Sequence, residues 1–290
     1  MEKFTSPLEA QIIEYSMSLG FDDLSQKAIN QAKRRITDTI GGALGAFEAK
    51  PVEIAKAVVP KVNSGRSARI WGSLEKSTPE GAAFANGTML RYLDINDTHR
   101  TIDGSHPSDN LGGVIALAEA LSLNGRDTLL ALIISYEIQC RFVDSVPFNE
   151  NGWDQPVPGV IAMAMAAGRM LSLNVSSMRD ALALAVTPNL CTYQTRAGEL
   201  SMWKGAAAAN GATNGPVAPT NMVANAPNKP IPTNVMLLGL PTRNLGPNIE
   251  HNIKLPSTIC STSIGKFTIR LPPMNAPIIV PNANGGMKRI

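Results

Sequence analysis

Residues 109–142, DNLGGVIALAEALSLNGRDTLLALIISYEIQCRF, decide the fold class of this chain. Two strongly apolar stretches, residues 109–123 and 128–142, flank a short polar connection, and each is long enough for about four turns of α-helix. Helices that are apolar on nearly every side are typical of the centre of a helical bundle, where they are covered by other elements. The stretch therefore predicts an all-α domain in which these two helices are central.

Further helical patterns extend on both sides of this pair. Apolar residues recur there at the spacing of one helix face, in seven ranges: residues 8–19, 24–44, 52–62, 79–93, 159–171, 177–187 and 201–210. Only residues 68–71 (ARIW) resemble a short strand. We therefore expect a helical-bundle domain over residues 1–215.

The last part of the chain, residues 216–290, differs in composition. It holds 12 of the 21 prolines and ten asparagines, with seven Lys/Arg residues against one acidic residue, Glu250. A proline inside a helix costs about 3 kcal/mol, so this composition disfavours helices. We expect an irregular tail here, and a frameshift or a truncation would explain the abrupt change.

Composition also excludes several classes of function. Without the tail the chain has 19 basic and 22 acidic residues, which argues against a nucleic-acid surface. No apolar run reaches the roughly 18–20 residues that span a bilayer, so we expect a cytoplasmic protein with no membrane partner. The three cysteines form no CxxC pair, and we therefore expect no structural zinc and no cysteine-ligated iron–sulfur cluster.

Residues 91–113, RYLDINDTHRTIDGSHPSDNLGG, concentrate the groups that can do chemistry. A charged loop between buried helices is where enzymes tend to keep acid–base groups. Asp94 and Thr98 are four residues apart and share a helix face if the preceding helix continues that far. His106 is suited to exchange protons near neutral pH, and the amides that begin at Ser108 can receive a carboxylate at the start of the next helix.

The other histidine of this segment, His99, is expected to face solvent. Asp97, His99, Asp103 and His106 could together be imagined as a metal site, but their spacing matches no established ligand template. We therefore expect no metal.

The run LDINDT…GSHPSDNLGG resembles the signature of the MmgE/PrpD family. Similar blocks are RRITDTIGGALGA (residues 34–46), GTMLRYLD (87–94) and GELSMWKGAAAAN (198–210), and the likeness runs from about Leu8 to about Gly215. The resemblance implies a cofactor-independent lyase, with 2-methylcitrate dehydration in propionate breakdown as the best-known activity. Decarboxylation of cis-aconitate or an isomerase activity is the alternative within the family.

The resemblance also implies the residues of the site. It gives Asp94, Thr98 and His106 catalytic positions, and Lys204 a substrate-binding position; Ser108 and Gln155 are further substrate-binding candidates. Where this chain has Gln155 the family often has a histidine, and an amide cannot transfer a proton usefully.

The family's α/β lid has no clear counterpart in the tail at residues 216–290. We expect a tri- or dicarboxylate substrate and a homodimer. The alternative from another class is an inactive, truncated helical scaffold that at most dimerises.

Overall fold

The computed structural model describes residues 6–217, 279–281 and 287–289. Within these residues the chain forms nine α-helices: α1 (Pro7–Ser18), α2 (Gln26–Gly45), α3 (Lys50–Val58), α4 (Pro79–Tyr92), α5 (Leu111–Ala120), α6 (Gly125–Ser145), α7 (Pro156–Met170), α8 (Val175–Val186) and α9 (Trp203–Val217). Short 3₁₀ helices lie at Phe21–Asp23, Pro107–Asn110, Asn149–Asn151 and Tyr193–Arg196. The prediction of an all-α domain is confirmed.

Three antiparallel pairs of very short strands accompany the helices in the described part of the chain. Strand β1 (Ala68–Arg69) pairs with β2 (Lys76–Ser77), and β3 (His99–Arg100) pairs with β4 (Gly104–Ser105). Strands β5 (Ile279–Pro281) and β6 (Met287–Arg289) fall within the predicted irregular tail. Apart from these strands and the end of α9, the tail prediction concerns residues that lie outside the described ones.

The helix ends differ from the predicted ranges where capping groups or 3₁₀ turns set the boundary. Helix α6 begins three residues before the predicted 128–142, because the Asn124 side chain accepts hydrogen bonds from the amides of Arg126 and Asp127 at 2.9 and 3.0 Å. The predicted helix 109–123 begins as an α-helix only at Leu111, because the Pro107–Asn110 segment is a 3₁₀ helix.

Helix α7 lies at the centre of the core. Every residue from 156 to 168 is buried, so α7 joins the two helices that the sequence marked as central. Its large side chains divide between two apolar clusters. One cluster includes Met89, Leu90, Leu111, Leu132 and Met163, and the other includes Ile13, Ile134, Ile138, Met165 and Met178.

Small residues allow α4, α5 and α9 to approach closely. A Cβ atom on Gly112 would lie 2.9 Å from the amide nitrogen of Gly87, and a Cβ on Gly87 would lie 2.8 Å from Cβ of Ala209. Neither position therefore accepts a larger side chain without displacing a backbone. This packing brings the end of α4 and the starts of α5 and α9 to one end of the domain.

Candidate active site

The chain leaves α4 through a left-handed turn at Asp94. Helix α4 ends at Tyr92, and Asp94 has a φ of 58°, a conformation that Asp tolerates better than most residues. The prediction that Asp94 and Thr98 share a helix face is wrong, because the helix ends before Asp94. The turn directs the chain into the hairpin of β3 and β4, which returns His106 to Thr98.

Four of the predicted site residues nevertheless lie together. Lys204, in the first turn of α9, places its Nζ 3.3 Å from Oδ2 of Asp94. The other carboxylate oxygen of Asp94 is 3.9 Å from Nε2 of His106, and Thr98 Oγ1 is 3.3 Å from His106 Nδ1. The chemical roles of these four residues stay predictions.

Arg91, which was not among the predicted site residues, lies directly beneath this group. Its side chain is only 4% exposed; one guanidinium nitrogen, Nη1, donates to Asp94 Oδ1, and Nε lies 3.7 Å from Oδ2 of the buried Asp109. The three-residue spacing between Arg91 and Asp94 could have indicated an ion pair from the sequence alone. Burial of the Arg91 guanidinium could not be predicted, because it depends on the surrounding helices.

The two carboxylates beside Arg91 differ in their proton affinity. Burial raises the pKa of Asp94, but the hydrogen bonds and charges of Arg91 and Lys204 outweigh it and bring that pKa below its ordinary value. Burial dominates at Asp109 and raises its pKa, against the opposing charges of Arg91 and His106. Asp94 is therefore held as a carboxylate at the surface of the site, above a deeper acid that is easier to protonate.

Gln155 lies between two guanidinium groups at the start of α7. In the amide orientation that satisfies its hydrogen bonds, its side-chain oxygen accepts from Arg196 Nη2 at 2.9 Å and from Arg91 Nη2 at 3.3 Å. Arg196 in turn donates from Nε to the fully buried Asp154 at 2.6 Å. The amide nitrogen of Gln155 then faces acceptor groups of the protein.

Ser108 differs from the other predicted site residues because its polar groups already have partners. Its side chain is fully buried, its N–H donates to Asp97 Oδ1 at 3.1 Å, and its Oγ accepts from Asn96 Nδ2 at 2.9 Å. Direct contact with a substrate would require these bonds to break. In this structure Ser108 contacts Asp97 and Asn96, and its role stays a prediction.

The expectation that His99 faces solvent is wrong. His99 is 4% exposed, and its Nε2 lies 2.7 Å from Oδ1 of Asp144 at the end of α6. Thr101 donates to the same oxygen at 2.7 Å. Burial raises the pKa of Asp144, but the hydrogen bonds from His99 and Thr101 outweigh it and lower that pKa below its ordinary value. These bonds attach the hairpin to α6.

A cleft of about 310 Å³ lies beside the hairpin, and Thr98, His106 and Gln155 line it. Asp94 lies 3.9 Å from His106 without lining the cleft, and Lys204 contacts Asp94. The conceivable metal ligands are separated, since His99 binds Asp144 and Asp103 accepts from Asn149. Among the described residues, no group of three or more His, Cys, Asp or Glu side chains could hold a metal ion.

Comparison with known proteins identifies the family. The family model described as the MmgE/PrpD N-terminal domain matches residues 10–222. The chain belongs to the MmgE/PrpD family. Its relatives include a Saccharomyces cerevisiae protein named "Probable 2-methylcitrate dehydratase", 33% identical over 208 residues, which are 66% of this chain and 40% of that protein.

Two further relatives carry different activities in their names. The Salmonella typhimurium 2-methylcitrate dehydratase is 31% identical over 60% of this chain and 38% of its own length. The human cis-aconitate decarboxylase is 32% identical over 57% of this chain and 36% of its own length. The chain therefore spans about two fifths of the length of these curated relatives.

Within the part of the chain that the structure describes, no helix combines the length and hydropathy of a membrane span.

Proposed function

We propose that this chain carries the proton-transfer side of a cofactor-independent lyase site for a small tri- or dicarboxylate, with dehydration of 2-methylcitrate to 2-methyl-cis-aconitate as the reaction. In this proposal Asp94, Thr98 and His106 are catalytic, Lys204 and Gln155 bind substrate, and Ser108 supports them from beneath. The observation that carries the proposal is the contact of one ionised carboxylate, Asp94, with both an imidazole and an ammonium group.

The proposed reaction needs a base, an acid and fixed positive charge. A base removes a proton from carbon next to a carboxylate, the C–H electron pair forms the new double bond, and the C–O bond breaks. The hydroxide that departs takes up a proton and leaves as water. His106 is the residue proposed to exchange protons, because it lines the cleft and Asp94 can stabilise its protonated form from 3.9 Å.

Substrate carboxylates require hydrogen-bond donors or positive charges, and several such groups lie close to one another in the site. Lys204 offers an ammonium group on a side chain that is 36% exposed, and Gln155 contributes a polar amide to the lining of the cleft. Arg91 and Arg196 lie behind Gln155, with side chains that are 4% and 16% exposed, and add positive charge. This arrangement supports an anionic substrate with more than one carboxylate.

Decarboxylation of cis-aconitate is the second candidate. It is favoured by the human relative of that name and requires no departing hydroxyl. The two reactions differ in product, since dehydration forms a new double bond and decarboxylation releases carbon dioxide.

The proposal also includes a cytoplasmic homodimer, for which light scattering should give twice the mass of one chain. A scaffold without activity would dimerise but bind none of these acids.

The experiment is to incubate the protein separately with 2-methylcitrate, citrate and cis-aconitate. Absorbance follows the unsaturated product, a carbon dioxide electrode follows decarboxylation, and calorimetry follows binding without turnover. We expect 2-methylcitrate to bind most tightly and to give unsaturated product, with both signals reduced in Lys204→Ala. Carbon dioxide release from cis-aconitate alone would select the second candidate. The absence of binding by all three acids would support the scaffold.

A further inference from the structure

The hydrogen bonds of His106 determine which of its ring nitrogens carries the proton. Nδ1 lies 2.7 Å from the main-chain oxygen of Asp97, and a carbonyl oxygen can only accept a hydrogen bond. Nδ1 must therefore be the protonated nitrogen. Thr98 Oγ1, at 3.3 Å, is a longer second contact of the same nitrogen and can accept from it as well. In the neutral ring, Nε2 then has the free electron pair.

The free nitrogen has a suitable position for proton exchange. Nε2 is the atom that lies 3.9 Å from Asp94 Oδ1, on the side of the ring away from the Asp97 carbonyl. A proton taken up by Nε2 would be stabilised by the Asp94 carboxylate. The opposite tautomer would place its N–H on that side and leave no base there.

The carbonyl of Asp97 is held by the Asp97 side chain. Oδ1 accepts from the Ser108 amide at 3.1 Å, Oδ2 accepts from the Tyr136 hydroxyl at 2.8 Å, and Arg35 Nε lies 3.8 Å from Oδ2. Burial and the Asp97 charge raise the pKa of Tyr136 well above its ordinary value, so the phenol stays a donor. Residue 97 is thus attached both to α6 and to the 3₁₀ helix that follows His106.

We propose that Asp97 is a positioning residue that fixes the Nδ1–H tautomer of His106 and so leaves Nε2 as the proton-accepting atom of the site. The benefit for catalysis rests on the proposed function, but the tautomer is a property of the folded protein that can be measured without turnover. A hydrogen bond to one ring nitrogen commonly sets the tautomer of a functional histidine.

The experiment is ¹⁵N NMR of the full chain labelled at histidine, with long-range correlation of the ring nitrogens. The chain has three histidines, so His99→Gln and His106→Gln variants assign the signals. At a pH where the ring is neutral, we expect a protonated-type shift for Nδ1 of His106 and an unprotonated-type shift for Nε2. A protonated Nε2 in the unmodified protein would overturn the proposal.

Variants test whether Asp97 is responsible. Asp97→Ala should give a mixture of tautomers, and Asp97→Asn, which keeps an acceptor oxygen, should restore much of the native signal. Tyr136→Phe removes one bond to Asp97 and should shift the signals in the same direction by less, while exposed Tyr193→Phe should leave them unchanged. Native shifts in both Asp97→Ala and Tyr136→Phe would overturn the proposal; if Asp97→Ala does not fold, native shifts in Tyr136→Phe overturn it.

A kinetic readout separates this inference from the proposed function. Asp97→Ala should lower kcat about 10- to 100-fold through misplacement of His106, with KM changed by less than about threefold. Unchanged kcat in a variant with scrambled tautomers would overturn the positioning role. Full turnover by His106→Ala would instead remove the proposed function of His106, while the tautomer measured by NMR would still stand.

Discussion

Helix α7 and the polar segment at residues 94–109 are neighbours in the same domain but are held by different forces. The α7 residues from 156 to 168 are buried and mostly small and apolar, so packing holds them. The polar segment is held by side-chain hydrogen bonds and ion pairs that come from α4, α6 and α9. A change in α7 should therefore alter stability, whereas a change in the polar segment should alter the geometry of the site as well.

The largest effect is expected at Arg91, where the polar segment depends on a buried charge. Arg91→Met removes the partner of Asp94 and of the buried Asp109, and should lower the free energy of unfolding by about 3–5 kcal/mol. Urea unfolding measures this loss. The matched control is Arg69→Met, because Arg69 pairs with Glu119 at the surface with a side chain that is 67% exposed.

The control variant should lose about 1 kcal/mol or less, since exposed ion pairs contribute little. Equal losses of unfolding free energy in the two variants would mean that burial does not strengthen the ion pairs of Arg91. That result would contradict the claim that ion pairs hold the polar segment while packing holds α7.

The next effect concerns packing in α7. Met163 is fully buried, so Met163→Ala should lower the free energy of unfolding by about 2–5 kcal/mol through lost contacts and a cavity. Substrate affinity of the folded variant should stay within about twofold, because Met163 does not line the cleft. Met202→Ala, at a side chain that is 56% exposed, is the control, with a loss below about 0.5 kcal/mol.

A smaller and more specific effect is expected at Lys204. Lys204→Ala should weaken substrate binding by about tenfold or more, because a charge-assisted hydrogen bond contributes about 1.5–3 kcal/mol. The increase in KM should exceed the decrease in kcat. Lys50→Ala is the control, since the Lys50 side chain is 75% exposed and lies 3.7 Å from Glu53 at the surface. A decrease in kcat with unchanged KM would give Lys204 a role in the transition state instead.

The smallest effect is a pH dependence at the attachment of the hairpin. The pKa of Asp144 is lowered in the folded protein, so its carboxylate stabilises the fold above the unfolded pKa of about 3.9. That contribution is lost as the pH falls through the lower folded pKa. Asp144→Asn should therefore be less stable than the unmodified protein at pH 6, and the difference should shrink towards pH 2. Unfolding curves across this range measure it, and a constant difference would contradict the lowered pKa.

Sequence reasoning predicted the helices well because their burial follows a local period. Residues 128–142 and 159–171 contain enough apolar side chains to mark α6 and α7 without knowledge of their neighbours. The ends were less predictable. The helix predicted over residues 79–93 stops at Tyr92, and Asp94 follows in a left-handed conformation with contacts to Arg91 and Lys204.

The candidate site was predictable where it followed a motif and not where it depended on distant partners. Asp94, Thr98, His106 and Lys204 stand in the family blocks and lie close together, and their roles stay predictions. The buried position of His99 was missed because its partner, Asp144, is 45 residues away in the sequence. The support of His106 by Asp97 was missed for the same reason, since Tyr136 is 39 residues from Asp97.

Proton exchange in deuterated water measures the proposed proton transfer by His106. The protein is incubated with 2-methylcitrate in D₂O, and proton NMR follows both the unsaturated product and deuterium uptake at the carbon next to the carboxylate. We expect exchange or product formation with the unmodified chain, slowed about 10²–10⁴-fold in His106→Ala. Equal rates in the two proteins, or no exchange and no product with the unmodified chain, would contradict it.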